Sequence, residues 1–253
     1  MAKLTPQECL VLADLLGDTP MTVISTSRLK QGMCDAYVAG SLPDVDAAIV
    51  FDAYCSDEPA GFGTDADALW RLLKATDGWN CINVDNSCAA SLGALIEADT
   101  GTPIRYYGDI CHALLEPVHY YPNEAVRLLT SEDVGRLAKA PAEVQGNGYK
   151  THEAMLTDGI AAGAVVDDNI VAIAHIYAET DLHADIGVST VEQWREKGFA
   201  TAAASLVAQE IQAKGKVPAW SCGEDNAASL RVAQKLGFTE IDRRTYVIPI
   251  SPE

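Results

Sequence analysis

The sequence predicts a mixed α/β protein built in two parts. Three observations carry this. Short apolar, β-branched runs alternate with amphipathic stretches along the whole chain, the pattern of strands and helices packed in layers. The stretch 184–190 (ADIGVST) alternates apolar with small or polar residues, as a half-buried strand does. It leads through a short loop into 201–214 (TAAASLVAQEIQAK), an alanine-rich helix with Leu206, Val207 and Ile211 on one face. The order of elements changes near residue 120, which divides an N-terminal α/β domain (1–120) from a C-terminal domain (121–253).

In chain order, 5–16 reads as a helix, with Thr5 as N-cap, Pro6 at the first helical position and Glu8 completing a capping box. Residues 21–25 (MTVIS) are a short β-branched run, and 47–51 (AAIVF) an apolar run of buried-strand type. A long connection, 52–63, follows. It holds Tyr54, Asp57, Glu58 and Phe62, an acidic and aromatic set suited to a cationic guest. A helix at 64–75 turns Leu69, Leu72 and Leu73 inward; then come a strand (80–84), a helix (87–98) and a strand (102–107). This half carries no nucleotide motif, catalytic triad or metal-ligand spacing.

Residues 118–123 (VHYYPN) read as a linker or edge segment. Beyond them lie a strand (125–129), a helix opened by Thr130 or Ser131, a Gly/Asn/Pro-rich loop (141–148) and a helix (151–158). A hairpin joins 161–166 to 170–177 through Asp167, Asp168 and Asn169. Late strands at 216–221 and 240–249 flank a helix that starts near Asn226.

Composition bounds the function. A hydrophobic content of 48% and a charged content of 21% describe a globular chain. No apolar run approaches the ~20 residues of a transmembrane helix, and MAKLTPQECL lacks the apolar core of a signal peptide. The seven cysteines are odd in number and scattered without CxxC pairs, so neither a disulfide framework nor a metal site is expected. A reducing cytoplasm suits them. The net charge of −18 argues against nucleic acid and membranes as partners. It favours a cationic substrate, although a merely acidic, soluble surface explains it equally well.

The junction Arg195-Glu196-Lys197-Gly198-Phe199-Ala200-Thr201 carries the chemistry. A helix entrance exposes unpaired N–H groups and the positive end of the macrodipole, and a glycine there lets a phosphate approach the backbone. Neither GxGxxG nor GxxxxGK[ST] fits this loop; R-x-x-G-x-A does. A second block, 226–238 (NAASLRVAQKLGF), opens with Asn226, a favoured helix N-cap. It ends with Gly237 as C-terminal cap and Phe238 packing back on the helix.

Together the two blocks resemble those of the GNAT superfamily of acetyl-CoA-dependent N-acetyltransferases. The first is similar to its pyrophosphate loop, Q/R-x-x-G-x-G/A, and the second to its N-x-x-[AS]-x7-G-F segment. The resemblance covers roughly half the chain. More loosely, the whole layout resembles longer bacterial members with an N-terminal α/β half. The resemblance implies a mostly antiparallel mixed sheet, acetyl-CoA as co-substrate and no metal. It assigns pantetheine to the strand edge at Val188, Thr190 and Val191, left free by a bulge for which Gly187 is placed. Pyrophosphate falls to the amides of Glu196, Lys197, Gly198, Phe199, Ala200 and Thr201, with charge from Arg195 and Lys197. Asn226 and Ser229 would reach the pantetheine arm, a role that competes with capping for Asn226.

Asp185 stands where the family often has a glutamate base. Glu179 and His183 are rivals, and His175 reads as a core histidine. Ala233 occupies the place where many members carry a tyrosine acid. The implied reaction is acetyl transfer to a primary amine of a small cationic molecule, in a ternary complex, with the N-terminal domain walling the acceptor site. Transfer to a protein amine is the alternative within the class. A catalytically idle CoA-binding module is the alternative outside it. A homodimer is left open.

Overall fold

Helix α1 (Pro6–Leu16) begins at the foreseen capping box: Thr5 Oγ1 accepts from the Glu8 N–H, and the Glu8 carboxylate accepts from the Thr5 N–H at 2.8 Å. The computed structural model describes residues 2–250. After α1 come α2 (Val23–Gln31), β1 (Cys34–Ser41), β2 (Asp44–Asp52), β3 (Cys55–Phe62), α3 (Ala66–Lys74), β4 (Ile82–Asp85), α4 (Asn86–Thr100) and β5 (Ile104–Ala113). The second half comprises β6 (Val126–Leu128), α5 (Val134–Leu137), α6 (His152–Thr157), β7 (Ala161–Val166), β8 (Asn169–Glu179), β9 (His183–Thr190), α7 (Phe199–Ala213), β10 (Val217–Gly223), α8 (Ala227–Leu236) and β11 (Thr239–Pro249).

All the strands join one 11-stranded sheet in the order β1-β2-β3-β4-β11-β5-β10-β9-β8-β7-β6. Only the β3–β4 and β9–β10 pairs run parallel. Both halves repeat one plan: a hairpin, a strand, a helix, a parallel strand, a second helix and a last strand. Each last strand is lodged in the other half. β11 lies between β4 and β5, and β5 lies between β10 and β11. The two pair antiparallel from Thr239↔Ala113 to Pro249↔Ile104. One apolar core packs α3 and α4 on the first half of the sheet, around Leu69, Leu73, Ile82 and Leu92. A second packs α7 and α8 on the other half, around Ala203, Val207, Trp220 and Leu236.

On the opposite face the helix pair α1–α2 ties the halves together. Arg28 of α2 is fully buried. It donates to Asp52 Oδ1 (3.0 Å), Gly148 O (3.4 Å) and Tyr177 O (2.9 Å). Its guanidinium also lies over the Tyr54 and Tyr177 rings, at 5.0 and 4.7 Å. Asp18, just past α1, accepts from Thr180 Oγ1 (2.7 Å) and the Leu182 N–H (2.9 Å) at the β8–β9 turn.

Several expectations need correction. The β-branched run at 21–25 enters helix α2 and not a strand. Burial against β8 and β9 outweighs its weak helix propensity. Strand β1 went unforeseen. The expected connection 52–63 is mostly strand β3, held by β2 on one side and β4 on the other in spite of Pro59. The bulge in the β8–β9 pair lies at Tyr177 of β8, between the pairs of Ile176 and Ala178, and not at Gly187. Gly187 is needed for space: a Cβ there would come within 2.8 Å of His175 Cε1. The linker 118–123 has no regular structure, but Val118 N–H donates to Gln212 Oε1 (3.1 Å) and Tyr121 Oη to Lys235 O (2.9 Å).

Candidate active site

Strands β9 and β10 pair over three positions, from His183↔Val217 to Asp185↔Ala219. Beyond Asp185 they part, and the freed edge of β9 leads to α7. Gly198 caps α7 in the left-handed region (φ +79°) without any side-chain cap, and Glu196 is also left-handed (φ +63°). The first N–H of this turn to find an acceptor is that of Ala202, bonded to Gly198 O at 3.0 Å. The N–H groups of Phe199, Ala200 and Thr201 therefore face outward unpaired, at the positive end of a 15-residue helix.

They open into a pocket of about 930 Å³ bounded by the β9 edge, the α7 entrance and α8. Val188 and Thr190 line it from the strand, and Arg195, Glu196, Gly198, Phe199, Ala200 and Thr201 from the loop and helix. Asn226 and Ser229 line it from α8. Two residues expected there, Val191 and Lys197, do not line the pocket. The Val191 N–H donates to Val171 O (3.0 Å), and Lys197 Nζ lies 5.0 Å from the Trp194 ring centroid. Asn226 caps α8, its Oδ1 accepting from the Ser229 N–H (3.1 Å), while Ser229 Oγ accepts from Trp220 Nε1 (2.9 Å). Trp194, Arg231 and Lys235 also line the pocket and were missed. The spacing of Ala228, Arg231 or Val232, and Lys235 puts them on one face of α8, a signal present in the sequence.

The pocket suits a pyrophosphate and a peptide-like arm. Thr190 Oγ1 is buried without a hydrogen-bond partner among the described residues. A Cβ built on Gly198 would meet nothing within 4 Å, so the space above that backbone is open. Gly198→Val puts a β-branched side chain into that space at a backbone angle it resists, and is expected to weaken CoA binding about tenfold or more. Calorimetric titration checks this; an unchanged Kd in the folded variant would move the phosphate site elsewhere.

A second cavity, about 230 Å³, crosses the sheet beneath α2. Asp185 lines it where β9 and β10 part, on the strand face opposite Ala184 and Ile186, which pack beneath α7. Its residue exposure is 6%, and it has no hydrogen-bond partner among the described residues. Burial pushes its carboxyl up to about 7, with a further push from Asp109. The rivals lie outside this cavity. Glu179 pairs with Lys216 Nζ (2.5 Å), and His183 Nδ1 with Asp18 Oδ1 (2.7 Å). His175 is a core residue: its Nε2 meets the Asn147 N–H (3.2 Å), and burial lowers its pKa to about 4. Ala233 is fully buried, packed with Leu114 and Trp220, so no acid stands there.

The matching cleft of the first half is closed. Helix α3 is capped by the Asp65 carboxylate on the Ala68 N–H (3.0 Å), and Asp67 adds negative charge to its first turn. An anion is thereby disfavoured. Arg244 of β11 fills the opening between β3 and β4, donating to Gly61 O (2.6 Å), to Asn83 O (3.0 Å) and to Asn83 Oδ1.

Uncapped helix, splayed parallel strands and open pocket define an acyltransferase fold. Residues 139–247 match the family model described as GNAT acetyltransferase. A GCN5-related N-acetyltransferase-like protein from Streptococcus suis 89/1591 shares 22% identity over 97% of this chain and 100% of its own, with a TM-score of 0.69. A putative GNAT acetyltransferase from Novosphingobium aromaticivorans shares 16% identity over 92% of this chain and 100% of its own, with a TM-score of 0.58. A tandem GNAT protein from the clavulanic acid biosynthesis pathway shares 13% identity over 100% of this chain and 98% of its own (TM-score 0.57). Such likeness extends the shared fold to the first half. No curated protein matches the chain.

Proposed function

We propose that this protein is an acetyl-CoA-dependent N-acetyltransferase acting on a primary amine of a small cationic molecule. The observation that carries the reading is Asp185: a buried carboxylate without a partner, standing where the two strands part between the large pocket and an acidic groove. Acetyl-CoA, when bound, supplies its acetyl group as a thioester, which the amine takes up as an amide with release of the CoA thiol. The α7 amides and the Arg195 side chain would hold the pyrophosphate. The β9 edge at Val188 and Thr190 would hold pantetheine, with Asn226 and Ser229 beside it.

Asp185 accepts a proton from the ammonium form of the acceptor and leaves the neutral amine needed for attack. The first half supplies the far wall of the groove through Met21, Ile24, Glu58 and Phe62, so acceptor choice would rest partly on residues 1–120. All seven cysteines are unpaired, which supports a reducing cytoplasm as the compartment. A second reading, an idle CoA-binding module, is favoured only by the buried Ala233.

A thiol-release assay over a panel of amines, run beside CoA calorimetry, tests both readings. Expected are one CoA bound per chain, because the cleft of the first half is closed, and thiol release with cationic amines. Tight CoA binding with no release from any amine would support the idle module.

A further inference from the structure

We infer that the acceptor is a linear polyamine or long terminal diamine, with its reacting nitrogen at Asp185 and a second, charged nitrogen at Glu58. This rests on the acetyltransferase reading and names the acceptor class of the same site. Four carboxylates line the groove, Asp52, Glu58, Asp109 and Asp185, and Arg244 is the single cation lining it among the described residues. Asp52 is spent: it accepts from Arg28 Nε (3.0 Å), Tyr177 Oη (2.7 Å) and the Tyr54 N–H (3.0 Å). Asp109 accepts from Asn83 Nδ2 (3.1 Å) and lies directly across the β5–β11 ladder from Arg244; burial pushes its carboxyl up, and the Asn83 hydrogen bond and the nearby guanidinium oppose this.

Two carboxylates remain without a cation. Asp185 is the buried one, and no hydrogen bond occupies it among the described residues. Glu58 is exposed at the other end, with no ion-pair partner among the described residues. It shares its face of β3 with Ala60 and Phe62, which line the same groove, so its side chain turns toward the opening.

The sheet order sets the span. From β3 to β9 the strands run β3-β4-β11-β5-β10-β9. Five spacings of about 4.8 Å place the two backbones on the order of 20 Å apart, less the reach of both side chains. A short diamine cannot bridge that gap; an extended polyamine can. Between the two charges the groove is mixed: Met21, Ile24, Phe62 and Tyr246 offer apolar or aromatic surface, beside the polar Asn83, Asp109, Ser221 and Arg244. Methylene segments lie against the apolar surface while the charged ends stay at the carboxylates. Asp57, paired with Asn80 Nδ2 (2.9 Å), does not line the groove and takes no part.

The test is calorimetry on the full chain with spermine, 1,4-diaminobutane and octylamine, for wild type and Glu58→Gln. Spermine is expected to bind at least about tenfold more tightly than octylamine. Glu58→Gln is expected to weaken spermine three- to tenfold (roughly the worth of one partly screened charge pair) while leaving octylamine and CoA unchanged. Equal binding of spermine and octylamine, or a spermine Kd indifferent to Glu58→Gln, would overturn the assignment. Thiol release separates it from the parent reading. Spermine that binds through Glu58 yet is never acetylated upholds the recognition and overturns acetyl transfer.

Discussion

Asp185→Asn is expected to lower kcat by about 10²–10⁴-fold, the usual cost of losing a positioned base, while the Kd for CoA stays constant. Asn keeps the shape of the side chain and removes its ability to take a proton. The pH profile adds a second readout. The carboxyl is pushed up to about 7, so the base form grows in as pH rises through that value, and wild-type kcat/KM should climb and then level off. The variant should lose this step.

Stability should move the opposite way. The folded protein holds a proton on Asp185 between the ordinary value of 3.8 and about 7, where the unfolded chain has lost it. Native stability therefore falls as pH rises through that window. Asp185→Asn removes the buried charge and should be at least as stable as wild type at pH 8. A purely structural role would give the reverse: lost stability with kcat held within a few-fold.

Arg28→Ala is expected to cost about 3–5 kcal/mol, the range for breaking a buried ion pair from one side. The loss would leave the Asp52 carboxylate and the carbonyls of Gly148 and Tyr177 without their donor, and two aromatic rings without the guanidinium. Arg28→Lys should recover little, since one ammonium cannot reach three acceptors in the fixed geometry of a guanidinium. Urea unfolding measures both. A loss below about 1 kcal/mol would place this residue among ordinary surface pairs.

The proposed cofactor side was legible because its signals are local. The uncapped glycine entrance, the strand before it and the Asn226 helix each depend on neighbours a few residues away, and the structure sets them around one pocket. The proposed acceptor side was not legible. Asp109, Ser221, Arg244 and Tyr246 come from β5, β10 and β11, whose neighbours are fixed only when the two last strands change places. No short pattern encodes that exchange. The duplication itself was hidden for a related reason: the first half has replaced its cleft with Asp65, Asp67 and Arg244, the opposite of what the motif requires. The helix α2 and strand β3 misreadings were cases in which long-range packing overruled local propensity.

The exchange of last strands also sets a timetable. β5 ends at Ala113, and the strand that must lie beside it, β11, begins only at Thr239. At a synthesis rate of roughly 5–20 residues per second, the nascent chain waits on the order of ten seconds for that partner. Throughout the wait β4 and β5 both present open edges, the kind of surface that templates pairing with other chains. A ribosome that stalls before β11 emerges would release a product missing the middle of its sheet and not merely its rim. Such a product should fall to chaperones or proteases.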